Sequence, residues 1–169
     1  MKNGVEKVLV TGVFDIVHQE HRAFLRDAKK LGYLVVGVES DLRVRQIKGE
    51  GRPIHPAAIR VEQLQKLAIA DEIFVLPELF SSPDDHRLLL AQLRPDILAV
   101  SAHTKHIDKK QRLMQEIGGR VMIVREHNPA ISTTLLLESR QRSQRADRQR
   151  LEGGMSTVHK KELKHNGKK

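Results

Sequence analysis

The stretch Val10-Thr-Gly-Val-Phe-Asp-Ile-Val-His-Gln-Glu-His-Arg-Ala-Phe-Leu25 decides the fold, because an apolar run ends at Gly12 and a helical pattern begins six residues later. With a helix starting near His18, the 3.6-residue period puts His18, His21, Leu25 and Ala28 on one stripe. The core-facing side of that helix then ends in two imidazoles at its N-terminal mouth. Such a mouth offers free N–H groups and the positive end of the helix dipole, and both favour phosphate. A strand that delivers this junction is suited to hold an anion beside two imidazole donors.

Outward from the junction, Glu6 to Phe14 reads as a buried strand, His18 to Leu31 as a helix and Gly32 as its C-cap. Tyr33 to Val38 is nearly all apolar, as in a parallel strand covered on both faces. Ser40-Asp41 can cap a short helix to about Ile47. Lys48-Gly-Glu-Gly-Arg-Pro-Ile-His-Pro56 then breaks regular structure with two Gly and two Pro, and is expected to be a mobile, functional loop. Further on, helices over 57–68, 82–93 and 107–117 alternate with strands over 72–76, 96–100 and 120–124. A last helix is expected from Ser132.

Such alternation implies an α/β fold, a five-stranded parallel sheet with right-handed crossovers and helices on both faces. Ligands of these sheets bind at the carboxyl ends of the strands, at the switch point. Residues 12–21, 48–56, 101–106 and 125–134 should gather on that edge.

With 169 residues the chain has room for one ordinary domain and a real core. Aromatic residues make up 3%, which leaves little for stacking on single-stranded nucleic acid. The absence of cysteine excludes disulfides, thiolate zinc sites and cysteine nucleophiles. No apolar run approaches the roughly 18 residues of a membrane span, and no signal-like segment is evident, so the expected setting is soluble and cytoplasmic. The net charge of +9 is unevenly placed: residues 139–169 hold ten Lys/Arg against three acids, or +7. The expected organisation is therefore a catalytic domain over 1–138 and a basic helical extension over 139–169 that frays into a disordered tail. That tail could contact RNA or an acidic partner.

Neither G-x-G-x-x-G after the first strand nor G-x-x-x-x-G-K-[ST] anywhere is present, so a typical dinucleotide dehydrogenase and a P-loop kinase are both unsupported. Instead, Gly12-Val-Phe-Asp-Ile-Val-His-Gln-Glu-His21 resembles the G-x-F-D-x-x-H-x-G-H signature of the cytidylyltransferase-like nucleotidyltransferases. The 48–56 loop is similar to the K-G-x-x-R-P-x-x-P loop of heptose-phosphate adenylyltransferases, and Ile131-Ser-Thr-Thr134 matches the I-S-T-T motif of glycerol-phosphate cytidylyltransferases. The resemblance implies a Rossmann-like domain that transfers a nucleoside monophosphate from ATP or CTP to a phosphorylated sugar or polyol, releasing pyrophosphate. The 48–56 loop tilts the choice toward ATP. His18 and His21 would hold the triphosphate, with Lys48 as the third catalytic group. Gly12, Val13, Phe14, Arg52, Ser132, Thr133 and Thr134 would line the nucleotide site. Mg²⁺ would offset the triphosphate charge, no protein-held metal site is expected, and a homodimer is implied.

Three departures stand beside these matches. Glu20 occupies the family's Gly position, adding bulk and negative charge near the proposed phosphates. Residues 101–106 (Ser-Ala-His-Thr-Lys-His) replace a Gly-Gly-Asp-like loop, and Asn128-Pro-Ala130 replaces a charged, Gly-containing approach to I-S-T-T. His103 and His106 fit either metal ligands or a solvated, acceptor-contacting loop; Lys48 fits either a catalytic or a plain loop charge; Ser132 fits a helix cap as well as a phosphate ligand. Asp15 reads as a cap or loop brace. The rival to an enzyme is a catalytically impaired nucleotide-binding or RNA-associated protein of the same fold.

Overall fold

The computed structural model describes residues 4–125 together with Arg142 and Arg145, both helical and exposed. The chain divides after Asn128 into two units, and the first carries the whole sheet. Strand β1 (Lys7–Gly12) leads into α1 (Gln19–Lys29), followed by β2 (Tyr33–Val38), α2 (Asp41–Lys48) and α3 (Ala57–Lys66). Then come β3 (Glu72–Val75), α4 (Pro83–Leu93), β4 (Ile97–Ser101), α5 (Ile107–Glu116) and β5 (Arg120–Arg125). All strands are parallel in the order β3-β2-β1-β4-β5, a Rossmann-like arrangement.

The two-residue period of β1 distributes the core. Val8 and Val10 pack on one face with Leu25 and Ala28 of α1 and Leu64 of α3. Leu9 packs on the other with Leu90 of α4 and Met114 of α5. Helices therefore cover both faces. The winding reverses between β1 and β4, so the carboxyl end of β1 is the switch point at which such sheets bind ligands.

Two local expectations change. The first strand stops at Gly12 rather than Phe14, because Phe14 turns into the left-handed region (φ 49°) and its ring folds back over the strand end. A Cβ at Gly12 would meet Phe14 Cε2 at 2.9 Å, so this close approach needs glycine there. Gly32 is not the C-cap of α1, which is Lys30; it lets the Glu6 carbonyl come close enough to accept the Tyr33 N–H at 2.8 Å and start the β1–β2 ladder. The Ser82-Pro83-Asp84-Asp85 start of α4 forms as a capping box, with Ser82 Oγ accepting the Asp85 N–H and Asp85 accepting the Ser82 N–H.

The expected helix from Ser132, the I-S-T-T motif and the basic extension over 139–169 lie outside the described residues. No helix among the described residues is long and apolar enough to cross a membrane.

A side chain at position 32 would collide with the Glu6 carbonyl. Gly32→Ala is expected to lower stability by about 2–3 kcal/mol in urea denaturation; an unchanged midpoint would contradict this role.

Candidate active site

The turn after β1 places the first imidazole. His18 is the N-cap of α1, in extended conformation (φ −121°, ψ 179°), and its ring makes no capping bond to the helix. His21 lies one turn on. Their rings stack with centroids 3.8 Å apart and planes 20° apart, and the Phe14 and His21 rings meet in a T-shaped contact with centroids 5.3 Å apart. The stripe read from the sequence thus becomes a stacked imidazole pair at a helix N-terminus.

Burial, reinforced by the charge of His18, lowers the His21 pKa to about 4, against an opposing hydrogen bond to the Ile16 carbonyl. His21 is therefore neutral at pH 7. Lys48 lowers the value further and Glu20 raises it, so both act on His21 electrostatically. Lys48 is the last residue of α2, and its own pKa is lowered by burial and by Arg52, with Asp15 acting the other way. His18, His21, Lys48, Arg52 and Asp15 form one electrostatic group at the switch point.

Asp15 organises the 48–56 loop. Its carboxylate is 1% exposed and accepts the N–H groups of Ile54 and His55, each at 2.9 Å. Arg52 Nη1 stands 3.3 Å from the same carboxylate, and His55 Nδ1 is 2.9 Å from the Asp15 carbonyl. The loop expected to be mobile is therefore tied down over 52–55, because a buried carboxylate holds its donors where they satisfy it. Gly49 and Gly51, at φ 89° and 80°, lie before the tether. Both terminal nitrogens of Arg52 are buried and make no hydrogen bond among the described residues. A buried, under-satisfied guanidinium is a ready donor for an anion.

Arg60 was not singled out by sequence reasoning. It is fully buried and donates to the carbonyls of His55 (3.0 Å), Val13 (2.6 Å) and Glu39 (2.7 Å) and to Asp41 Oδ1 (2.7 Å). The signal was an arginine four residues before Leu64 on the buried stripe of α3, a position that requires acceptors. Gly12, Val13 and Phe14 supply the backbone and ring between strand and helix. Arg60 takes the Val13 carbonyl, leaving Phe14 as the aromatic wall beside His21.

Glu20 does not stand as an isolated charge. Its Oε2 is 3.3 Å from Arg125 Nε, and Arg125 also reaches Asp27 Oδ2 at 3.0 Å. The carboxylate near the helix mouth is thus compensated from the end of β5. His103 and His106 fall between β4 and α5, and no group of three His, Cys, Asp or Glu among the described residues could hold a metal ion. Ser132, Thr133 and Thr134 lie outside the described residues.

With this geometry in hand, comparison with known proteins gives the class. The cytidylyltransferase-like family matches residues 9–139. The bifunctional protein HldE of Streptomyces coelicolor is 37% identical over 131 residues, covering 76% of this chain and 27% of that protein. HldE of Desulfatibacillum aliphaticivorans is 31% identical over 141 residues, covering 82% and 28%. Among solved structures, the lipopolysaccharide core biosynthesis protein of Thermoplasma volcanium is 29% identical with a TM-score of 0.60, covering 74% of this chain and 98% of that one. The chain belongs to the cytidylyltransferase-like family and is of the nucleotidyltransferase class. It spans a little over a quarter of the length of the HldE proteins it matches.

Two outcomes follow from this geometry. Because the unfolded chain takes up the His21 proton near pH 6.5 and the folded chain only near 4, stability should fall as pH drops through that interval. His21→Gln removes this contribution, so its loss over pH 6.5 to 4.5 should be smaller than that of the wild type by on the order of 2 kcal/mol; parallel curves would contradict a depressed pKa. Arg60→Met, which strips donors from three carbonyls and a carboxylate, is expected to cost about 3 kcal/mol in denaturant unfolding, and a neutral effect would deny the network its role.

Proposed function

We propose that this chain transfers a nucleoside monophosphate from an NTP to a phosphorylated sugar or polyol, with release of pyrophosphate. The observation that carries this reading is the stacked His18–His21 pair at the N-terminus of α1, with Lys48 and Arg52 in the same electrostatic group. An oxygen of the acceptor phosphate attacks the α-phosphorus of the NTP. A new P–O–P linkage forms as the bond to the β-phosphate bridging oxygen breaks, and pyrophosphate leaves with that electron pair. The nucleophile is already an anion, so no general base is needed, and Asp15 is in any case committed to Ile54, His55 and Arg52.

Charge builds on phosphate oxygens as the step proceeds, and fixed donors aimed there lower the barrier. His18, His21 and Lys48 supply those donors. Arg52, Gly12, Val13 and Phe14 line the nucleotide. Mg²⁺ would enter with the NTP substrate and offset its charge. The similarity of the 48–56 loop to heptose-phosphate adenylyltransferases favours AMP over CMP. The name of the Thermoplasma relative, a lipopolysaccharide core biosynthesis protein, supports a sugar phosphate as acceptor. This reading assigns the chemistry to residues 1–138 and leaves the basic extension for RNA or an acidic partner. The rival reading, an impaired nucleotide-binding protein, rests on Glu20, and the Glu20–Arg125 pair weakens it by compensating that charge.

The test is pyrophosphate release with ATP and CTP over a panel of phosphorylated sugars and polyols. His18→Ala and His21→Ala should each lower kcat by about 100- to 1000-fold, and unchanged turnover in either variant would contradict the mechanism. NTP binding without turnover over the whole panel, with turnover restored by Glu20→Gly, would establish the rival.

A further inference from the structure

A second feature lies at the same sheet edge, on the face away from α1. Thr11, one residue before the glycine turn, opens onto a cavity of about 90 Å³ between β1, α4 and α5. Its walls are largely apolar, among them Leu9, Leu90, Leu98 and Phe80, and three ionisable side chains line it: Glu39, His86 and Lys110. The volume corresponds to roughly three water molecules, or a two- to three-carbon segment.

Glu39 is the first residue after β2, and its backbone is held from both sides. Its N–H donates to the Gly12 carbonyl at 2.9 Å and its own carbonyl accepts from Arg60 Nη2 at 2.7 Å. Its carboxylate is not settled in the same way, because Oε2 is buried with no hydrogen-bond partner. Lys110 approaches from α5, close enough for the two charges to act on each other, yet no ion pair joins them among the described residues. Burial raises the Glu39 pKa and lowers that of Lys110, as expected for two desolvated groups that each lack a close partner. His86 is already engaged, with Nδ1 at 2.7 Å from the Ser82 carbonyl and its ring against Phe80.

A carboxylate and an ammonium that share a small cavity without touching call for a ligand group that both donates and accepts. A hydroxyl does so, donating to Glu39 and accepting from Lys110. A phosphate would be repelled by Glu39. An ammonium group would satisfy Glu39 but bring a second positive charge beside Lys110. Thr11 lines the cavity and directly precedes the Gly12 turn that runs on to His18, so cavity and imidazole pair both flank the carboxyl end of β1, where an acceptor phosphate at the helix mouth would direct its carbon chain toward the cavity.

We propose that Glu39 and Lys110 read the hydroxyl groups of the acceptor's carbon chain, selecting neutral polyol and sugar phosphates over amino-alcohol phosphates. The inference rests on the transferase reading above and names the acceptor class within it. The experiment is steady-state pyrophosphate release with glycerol 3-phosphate, sugar 1-phosphates, phosphoethanolamine and phosphocholine, for the wild type, Glu39→Gln and Lys110→Met, with NTP affinity measured in parallel by calorimetry. The wild type should favour a hydroxylated acceptor over phosphoethanolamine by about 100-fold or more in kcat/KM. Glu39→Gln should raise the acceptor KM about tenfold while leaving NTP affinity unchanged, and Lys110→Met should narrow the selectivity against phosphoethanolamine by about tenfold. A wild type that turns over a polyol phosphate, with both variants unchanged in acceptor KM and selectivity, overturns the inference and leaves the transferase reading intact. Loss of NTP affinity in step with acceptor affinity makes the pair structural and also overturns it. Absence of turnover by the wild type with every acceptor removes the transferase reading and this inference together.

Discussion

The Arg60 guanidinium is the point on which the reactive edge depends. A buried cation in a low-dielectric interior must be satisfied completely, and Arg60 finds its acceptors in three separate connections: Val13 after β1, Glu39 after β2 and His55 at the end of the 48–56 loop. The Asp41 carboxylate at the start of α2 supplies the compensating charge. One side chain thereby fixes the backbone that leads to the imidazole pair, the backbone that carries the cavity carboxylate and the loop that bears Arg52. Sheet packing alone would bring these segments to one edge, but it would not set them at hydrogen-bond distances from a common point.

On this frame the site gathers nitrogen groups whose positive forms disfavour one another. Burial, and then the charges of His18 and Lys48, hold down the pKa of His21, and burial followed by Arg52 holds down that of Lys48. Arg52 brings two buried nitrogens that make no hydrogen bond among the described residues. A polyphosphate bound there, as proposed, would satisfy these donors and favour their protonated forms. Asp15, a buried carboxylate beside the site, is committed to the loop backbone. With Glu20 drawn to Arg125, the charge at the helix mouth supports the anion site proposed above.

The parts of this picture that were legible in the sequence are those governed by short periods. Alternating apolar runs identified all five strands of the sheet, and the 3.6-residue stripe placed His18 and His21 together. Asp15 was readable as a brace because a short acid directly after a strand-ending Gly-Val-Phe has local backbone donors to serve. The rest depended on partners far apart in the chain. Glu20 meets Arg125 across 105 positions, and Arg60 reaches Val13 across 47. The Glu39–Lys110 cavity exists only because the residue after β2 and a residue of α5, 71 positions apart in the chain, line one cavity beside β1. The left-handed turn at Phe14 was hidden by its apolar character, which made it look like two more residues of strand. The loop at 48–56 carries every mark of mobility in its Gly and Pro content; a single distant carboxylate decides otherwise for half of it.

The stacked imidazole pair, with His21 neutral in the free protein, is proposed to receive a triphosphate, and the ring resonance of His21 tests this most directly. An NMR pH titration of the free protein should place His21 near 4, and saturation with Mg-ATP should move its titration upward by one unit or more as phosphate charge replaces the repulsion of His18 and Lys48. A His21 titration near 6.5 in the free protein, or one that nucleotide leaves unmoved, would contradict the account.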